Sequence, residues 1–163
     1  GDTFDTSKLR YGRVFIATDA DPDGGDIAAL LISFFWELAR PLIEEGRLYK
    51  LVTPLFVFET KSKKGKGKER HYANSDEEKA ELMANFDAKG IKYQINRLKG
   101  LGEGGNDVMI ETAMSPLTRT VESVVIKDVK ESQNMMNIIF GEDTQRRKDW
   151  LAANPMNEFE NIE

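Results

Sequence analysis

The sequence predicts an α/β fold built on a partly parallel sheet with flanking helices, and three observations lead to it. A short β-branched run, Arg13-Val14-Phe15-Ile16-Ala17-Thr18-Asp19, is bounded by Gly12 and a cluster of acids, as suits a strand buried on both faces. Directly after it, Ile27, Leu30, Leu31, Phe34, Phe35 and Leu38 recur at helical spacing and make one continuous apolar stripe. Strand-like and helix-like segments then alternate through a chain of 163 residues, enough for one ordinary domain or a domain with a small appendage.

Composition narrows the class. The chain is 40% hydrophobic and 31% charged, as expected of a globular protein with a core. It has no cysteine, which excludes disulfides, zinc–thiolate sites and thiol catalysis. The longest apolar stretch, Ile27 to Trp36, is far short of a membrane span, and no secretory leader is read before it. A net charge of −5 argues against a stand-alone protein that grips nucleic acid by charge. It leaves room for a module that meets an anion through a bound metal beside a basic partner. The opening Gly1-Asp2-Thr3 reads as the scar of a cleaved tag or a start inside a longer protein.

The elements follow in order. The first strand runs from Arg13 to Asp19. Gly24 and Gly25 permit a tight strand-to-helix turn, with Asp26 placed to cap the helix. Pro41 interrupts that helix and Gly46 ends it. A second strand, Arg47 to Val52, completes a βαβ unit. Leu55–Thr60 and Arg70–Asn74 read as a hairpin around a lysine- and glycine-rich tip, Lys61 to Lys68. Ser75 with Glu78 is a capping-box start for a helix to Phe86. Gly90 breaks the chain before a strand from Ile91 to Leu98. A glycine-rich loop, a helix from Asp107 to Met114 and a strand from Thr120 to Ile126 come next. Helices over Glu131–Phe140 and Thr144–Ala153 complete the fold, and the tail from Asn154 reads as frayed. A boundary near Gly100 would divide the chain into residues 1–100 and a mainly helical α+β tail region, 101–163.

Asp19, Asp21 and Asp23 alternate, with Asp26 close behind, at the end of a buried strand, where open α/β sheets carry their ligand sites. Carboxylates this close repel one another unless a cation intervenes. Mg²⁺ resolves the conflict, since it takes one or two carboxylates together with water and phosphate oxygens. Asp19 and Asp21 fit as principal ligands and Asp23 as a direct or water-mediated one. The plainer reading is an acidic turn in which aspartates cap backbone N–H groups. An EF-hand loop fails, because the position that needs a bidentate glutamate is Leu30. A phosphohydrolase with an aspartyl nucleophile is the runner-up, although Pro22 and Asp23 do not match that pattern.

The second motif is Lys99-Gly100-Leu101-Gly102-Glu103, followed by Gly104 and Gly105. It lacks the spacing and the final Lys-Ser/Thr of a nucleotide P-loop. Both motifs, in this order, resemble the C-terminal part of the B subunit of bacterial DNA gyrase and topoisomerase IV, which contains the TOPRIM domain of type IIA DNA topoisomerases. The resemblance extends to Lys8-Leu9-Arg10-Tyr11, Gly46-Arg47-Leu48-Tyr49, Thr53-Pro54-Leu55 and Glu111-Thr112-Ala113-Met114. It continues through Val125-Ile126-Lys127-Asp128 and Phe140-Gly141-Glu142-Asp143 with Arg146 and Arg147, covering residues 8 to 152.

The resemblance implies a TOPRIM-like, Rossmann-type sheet and a division of labour. In the family, a tyrosine on a gyrase A-like subunit attacks double-stranded DNA, and TOPRIM carboxylates hold Mg²⁺ at the scissile phosphate. Mn²⁺ or Ca²⁺ can replace it. Asp19 and Asp21 would be the catalytic metal ligands, with Asp23 as auxiliary. Lys99, Gly100, Gly102, Glu103, Arg146 and Arg147 would lie behind the ligands or on the DNA side. ATP would bind elsewhere in a two-fold heteromeric assembly in the cytoplasm of a bacterium or phage-infected host, with no membrane partner. None of Tyr11, Tyr49, Tyr72 and Tyr93 is nominated as the nucleophile.

The departures are specific. The family's first motif, whose glutamate is a further metal ligand and general acid–base candidate, would lie upstream of residue 1. The ATP-binding domain would lie there too. The chain is thus expected to be an excised piece or a naturally split small subunit of the phage kind. Asp26 stands where the family has histidine, and Leu98 replaces an aromatic, as in a divergent, viral-type member. Two other classes stay open: a self-contained Mg²⁺ phosphohydrolase or nuclease, and a non-catalytic assembly subunit. The lysine tip reads as a solvated turn or a phosphate-contacting loop. His71 reads as a strand residue, and Trp36 and Trp150 as packing groups. The apolar run Met135 to Phe140 reads as core cover or subunit interface.

Overall fold

The computed structural model describes residues 4–61 and 67–154. The chain divides into two compact units, residues 1–124 and 125–163. In the first unit, β1 (Val14–Ile16), β2 (Leu48–Leu51) and β6 (Val121–Ser123) form one sheet in the order β1-β2-β6. β1 and β2 are parallel, with Val14 opposite Leu48 and Ile16 opposite Lys50, while β2 and β6 are antiparallel. The mixed α/β architecture is thus as the sequence predicts.

The connection between β1 and β2 is α1 (Pro22–Ala39) followed by the short α2 (Pro41–Glu44). Pro41 separates them because a proline cannot donate the helical hydrogen bond. Gly46 ends the connection at φ 66°, a left-handed conformation that favours glycine. The capping expectation is corrected here. Asp21, not Asp26, is the N-cap: its carboxylate accepts the Gly24 N–H, and Pro22 takes the first helical position. The helix therefore starts before the two glycines and contains them.

The apolar stripe of α1 is not the face that the helix buries. α1 turns Gly24, Ala28, Trp36 and Ala39 inward, whereas Ile27, Leu30, Phe34 and Leu38 are all more than half exposed. Helical periodicity shows that a face is apolar and not what covers it. Within this unit the small residues and Trp36 form the packed face. Arg40 lies over the Trp36 ring at 4.3 Å.

The second sheet has the order β4-β3-β5, all antiparallel, from β3 (Phe56–Lys61), β4 (Lys68–Ala73) and β5 (Tyr93–Arg97). Alternation along β3 sends Phe56 and Phe58 to one side and Val57 to the other. Phe56 and Phe58 pack with Ala73 and with Phe86 of α3 (Asp76–Ala88). Val57 packs with Leu98 and with Val108 of α4 (Gly105–Met109). Both faces are thus covered by helices. Ser75 caps α3 by accepting the Glu78 N–H, and Glu78 returns its carboxylate to the Asn74 N–H, close to the predicted capping box. The hairpin pairs as predicted, but most of its lysine tip lies outside the described residues. His71 is a half-buried strand residue whose ring meets the Phe86 edge.

The predicted helix from Asp107 to Met114 is in fact α4 followed by a wider π turn, Ile110–Met114. Gly100 lies inside the first unit.

In the second unit, α5 (Val129–Phe140) and α6 (Thr144–Ala153) are capped by Asp128 and Asp143. Ile138 is the buried residue of α5, and the tail from Pro155 lies outside the described residues.

Candidate functional site

β1 delivers the chain to Thr18 and Asp19, and α1 takes it away from Pro22, so the acidic segment occupies the bend between them. The bend is tight enough to fix one residue type. A Cβ on Gly24 would lie 2.2 Å from the Asp19 carbonyl oxygen, so only glycine fits there. Thr53, in the loop after β2, donates its hydroxyl to the Thr18 carbonyl at 2.7 Å and ties the ends of the two parallel strands together.

The loop after β5 reaches the same place. The Leu101 N–H donates to Asp19 Oδ1 at 2.7 Å, and a Cβ on Gly100 would sit 3.2 Å from Asp19 Oδ2. Glycine at 100 thus lets the backbone lie flat against the carboxylate. Gly104 is needed for a different reason: a Cβ there would come within 2.5 Å of the Val108 side chain. A Cβ on Gly102 would meet no atom beyond its chain neighbours within 4 Å. Glu103 closes the loop on itself, accepting the Lys99 N–H at 3.0 Å. The two sequence motifs therefore meet at a named hydrogen bond.

Asp21 Oδ1 takes the Gly24 N–H at 2.7 Å, so the capping reading is realised for this residue, and its second oxygen has no hydrogen-bond donor among the described residues. Asp19 and Asp21 line one cavity of about 220 Å³ with Thr18, Lys50, Asn74 and Glu122. Asp23 is not among its lining residues; it occupies the first turn of α1, where a negative charge suits the helix dipole. Among the described residues, no three acidic, histidine or cysteine side chains converge on one point. The residues present nevertheless suit a hard divalent ion. The donors are carboxylate oxygens, each group is oriented by a backbone N–H, and they open on a polar cavity.

Arg146 and Arg147 belong to the second unit, where their guanidinium groups are engaged. Arg147 donates to the Ile138 carbonyl at 3.2 Å and the Gly141 carbonyl at 2.9 Å, closing the end of α5. Arg146 pairs with Asn134.

One cluster escaped the sequence reading. Arg70 donates to Glu111 at 3.0 Å and to Asp107 at 3.1 Å, and the Tyr72 hydroxyl donates to the other Glu111 oxygen at 2.5 Å. Burial, then the bond to Glu111, raises the Tyr72 phenol well above its ordinary range. Burial works against the Arg70 charge, but Asp107 and Glu111 outweigh it and raise its pKa. The available signal was the i, i+2 spacing of Arg70 and Tyr72, which puts both on one face of a strand.

The parallel βαβ unit with its aspartates belongs to a Toprim domain, and the glycine loop that closes on them belongs to a second matched region. The Toprim domain family matches residues 2–51, and the family described as DNA gyrase B subunit, carboxyl terminus, matches residues 90–152. The chain is 42% identical to the DNA gyrase B protein of Thermotoga maritima over 156 residues, 96% of this chain and 23% of that protein. It is 39% identical to the DNA gyrase B protein of Archaeoglobus fulgidus over 153 residues, 94% of this chain and 23% of the relative. With the DNA topoisomerase 4 B protein of Mycoplasma pneumoniae it shares 34% over 154 residues, again 94% and 23%. The chain belongs to the DNA gyrase B and topoisomerase IV B family, and spans about a quarter of the length of these relatives.

Among the described residues, no helix is long and apolar enough to cross a membrane.

Proposed function

We propose that this chain supplies the aspartate half of a Mg²⁺ site that assists DNA double-strand cleavage and religation by a type IIA topoisomerase. The observation that carries the reading is the Leu101 N–H donated to Asp19, because it joins the acidic segment and the glycine loop into one site. In the reaction envisaged, a tyrosine oxygen on a gyrase A-like partner attacks the phosphorus of a DNA phosphodiester. The bond to the 3′ oxygen breaks, the 3′ hydroxyl end leaves, and a 5′ phosphotyrosine link remains; religation reverses these steps. When bound, Mg²⁺ supplies electrostatic stabilisation of charge on the phosphate and the departing oxygen.

This chain's residues provide the cradle. Asp19 and Asp21 would hold the ion, with the Leu101 amide orienting Asp19 and the Gly24 amide orienting Asp21. Asp23 assists from the first turn of α1. Lys99 and Glu103 shape the loop, and Arg146 and Arg147 serve the DNA side through the second unit.

A further ligand, the glutamate of the upstream motif, comes from another segment or subunit, together with the ATP-binding part. Two features support such a neighbour. β1 is an edge strand whose outer side has no partner among the described residues, and the apolar stripe of α1 is exposed. A parallel strand with its helix would cover both at once, and parallel sheets are ordinarily covered on both faces.

The test is reconstitution. The chain is mixed with the ATPase-bearing part, the tyrosine-bearing subunit and supercoiled DNA. Relaxation should need every part and Mg²⁺, and Asp19→Asn with Asp21→Asn should abolish it. Unimpaired relaxation with both variants would assign the chain to assembly alone. Metal-dependent hydrolysis of a small phosphate ester by the isolated chain would favour a self-contained phosphohydrolase.

A further inference from the structure

Leu101 reaches Asp19 from a loop whose far end runs into α4, only five residues long. A helix of that length has almost no stability of its own, so its position depends on side chains. One anchor is apolar: Val108 is buried with Val57 and Leu98. The other is polar and lies on β4. Glu111, in the π turn after α4, places one carboxylate oxygen on Arg70 and the other on the Tyr72 hydroxyl. Arg70 also holds Asp107 within α4 and lies 3.8 Å from Glu59 of β3. Thr118 adds a hydroxyl bond to the Glu111 carbonyl. Wider π turns recur where a helix must redirect a side chain at a functional position, and this one carries Glu111.

We propose that Glu111 is a positioning residue: gripped by Arg70 and Tyr72, it anchors α4 and thereby sets the Leu101 amide against Asp19. Its importance for cleavage rests on the reading of Asp19 as a metal ligand. The anchoring itself does not, because it concerns only how one loop is held. Glu111 touches no reacting atom and acts through Leu101. A carboxylate suits the task, since its two oxygens serve two donors on one strand, and hydrogen bonds involving a charged group are the stronger kind.

The experiment is amide hydrogen exchange on the 163-residue chain, comparing Glu111→Ala, Glu111→Gln and Tyr72→Phe with the parent. The Phe58 amide, in the fully buried centre of β3, serves as reference for global unfolding. Glu111→Ala should speed exchange at Leu101 by about tenfold, the equivalent of one charge-assisted hydrogen bond, and leave Phe58 unchanged. Tyr72→Phe should give a smaller effect, and Glu111→Gln should recover part of the protection. Unchanged exchange at Leu101 in Glu111→Ala overturns the proposal. If that variant also speeds Phe58, the fold has loosened, and Tyr72→Phe decides by the same comparison. In the reconstituted enzyme, Glu111→Ala should raise the Mg²⁺ concentration for half-maximal cleavage several-fold at unchanged DNA affinity, with partial rescue by Glu111→Gln. A Mg²⁺ requirement untouched by Asp19→Asn would instead end the metal-ligand reading, and exchange at Leu101 would still decide the role of Glu111.

Discussion

The Leu101 amide hydrogen-bonds Asp19 Oδ1 at 2.7 Å, linking residues 82 positions apart in the chain. Gly100 makes the approach possible, because a Cβ there would lie 3.2 to 3.4 Å from the Asp19 carboxylate atoms. Those distances are tight without being impossible. Gly100→Ala should therefore fold with little loss of stability while displacing the loop by a few tenths of an ångström. The measurable consequence is a higher Mg²⁺ requirement for DNA cleavage at an unaltered thermal midpoint. A lowered midpoint with an unaltered requirement would place the role of Gly100 in folding alone.

Gly24 should behave differently. Its Cβ would fall 2.2 Å from the Asp19 carbonyl oxygen, a backbone atom that cannot swing aside. Gly24→Ala should destabilise the chain by about 1–3 kcal/mol, the usual cost of overpacking, as read by denaturant unfolding. Cleavage should fall as well, since the atom displaced belongs to Asp19.

Asp21 is the N-cap of α1 and a proposed metal ligand, and one pair of variants separates the two roles. Asp21→Ala loses the N-cap of α1 and should cost about 1 kcal/mol. Asp21→Ser keeps an oxygen for the Gly24 amide and should restore most of that stability, yet it removes the carboxylate. If Asp21→Ser is active at the parent's Mg²⁺ concentration, Asp21 is a cap and not a ligand.

The exposed stripe predicts silence in one setting and failure in another. Leu30 and Phe34 are 57% and 52% exposed, so Leu30→Glu and Phe34→Glu should shift the stability of this chain by no more than about 0.5 kcal/mol. The same changes should prevent association with the part carrying the upstream motif, as followed by co-sedimentation. Normal association would mean the stripe is not the joining face.

Tyr72 gives a pH prediction with a definite sign. Its phenol is raised in the folded chain, first by burial and then by Glu111. The stabilisation is therefore fully present below the unfolded tyrosine value of about 10 and is lost as pH rises above it. The thermal midpoint of the parent should fall more steeply above about pH 10 than that of Tyr72→Phe, with the two running parallel near neutrality.

Most of this chain's local structure was legible because its causes are local. Ser75 with Glu78, Pro41 and Gly46 act within a turn of where they stand. The acidic motif was legible for the same reason, since charge density among neighbouring aspartates needs no distant residue, whereas the glycine motif gained meaning only through the family resemblance. What the sequence could not settle was pairing between remote parts. Periodicity showed that α1 has an apolar face, but only packing revealed that the buried face is the small-residue one with Trp36. A carboxylate at Glu111 is one of many until folding brings Arg70 and Tyr72 to it across 41 and 39 positions. The Asp19–Leu101 bond belongs to this second kind: sequence supplied a carboxylate and a glycine loop, and the tertiary structure alone placed the amide on the oxygen. Hydrogen bonds depend on tenths of an ångström and on angle, which spacing along a chain does not encode.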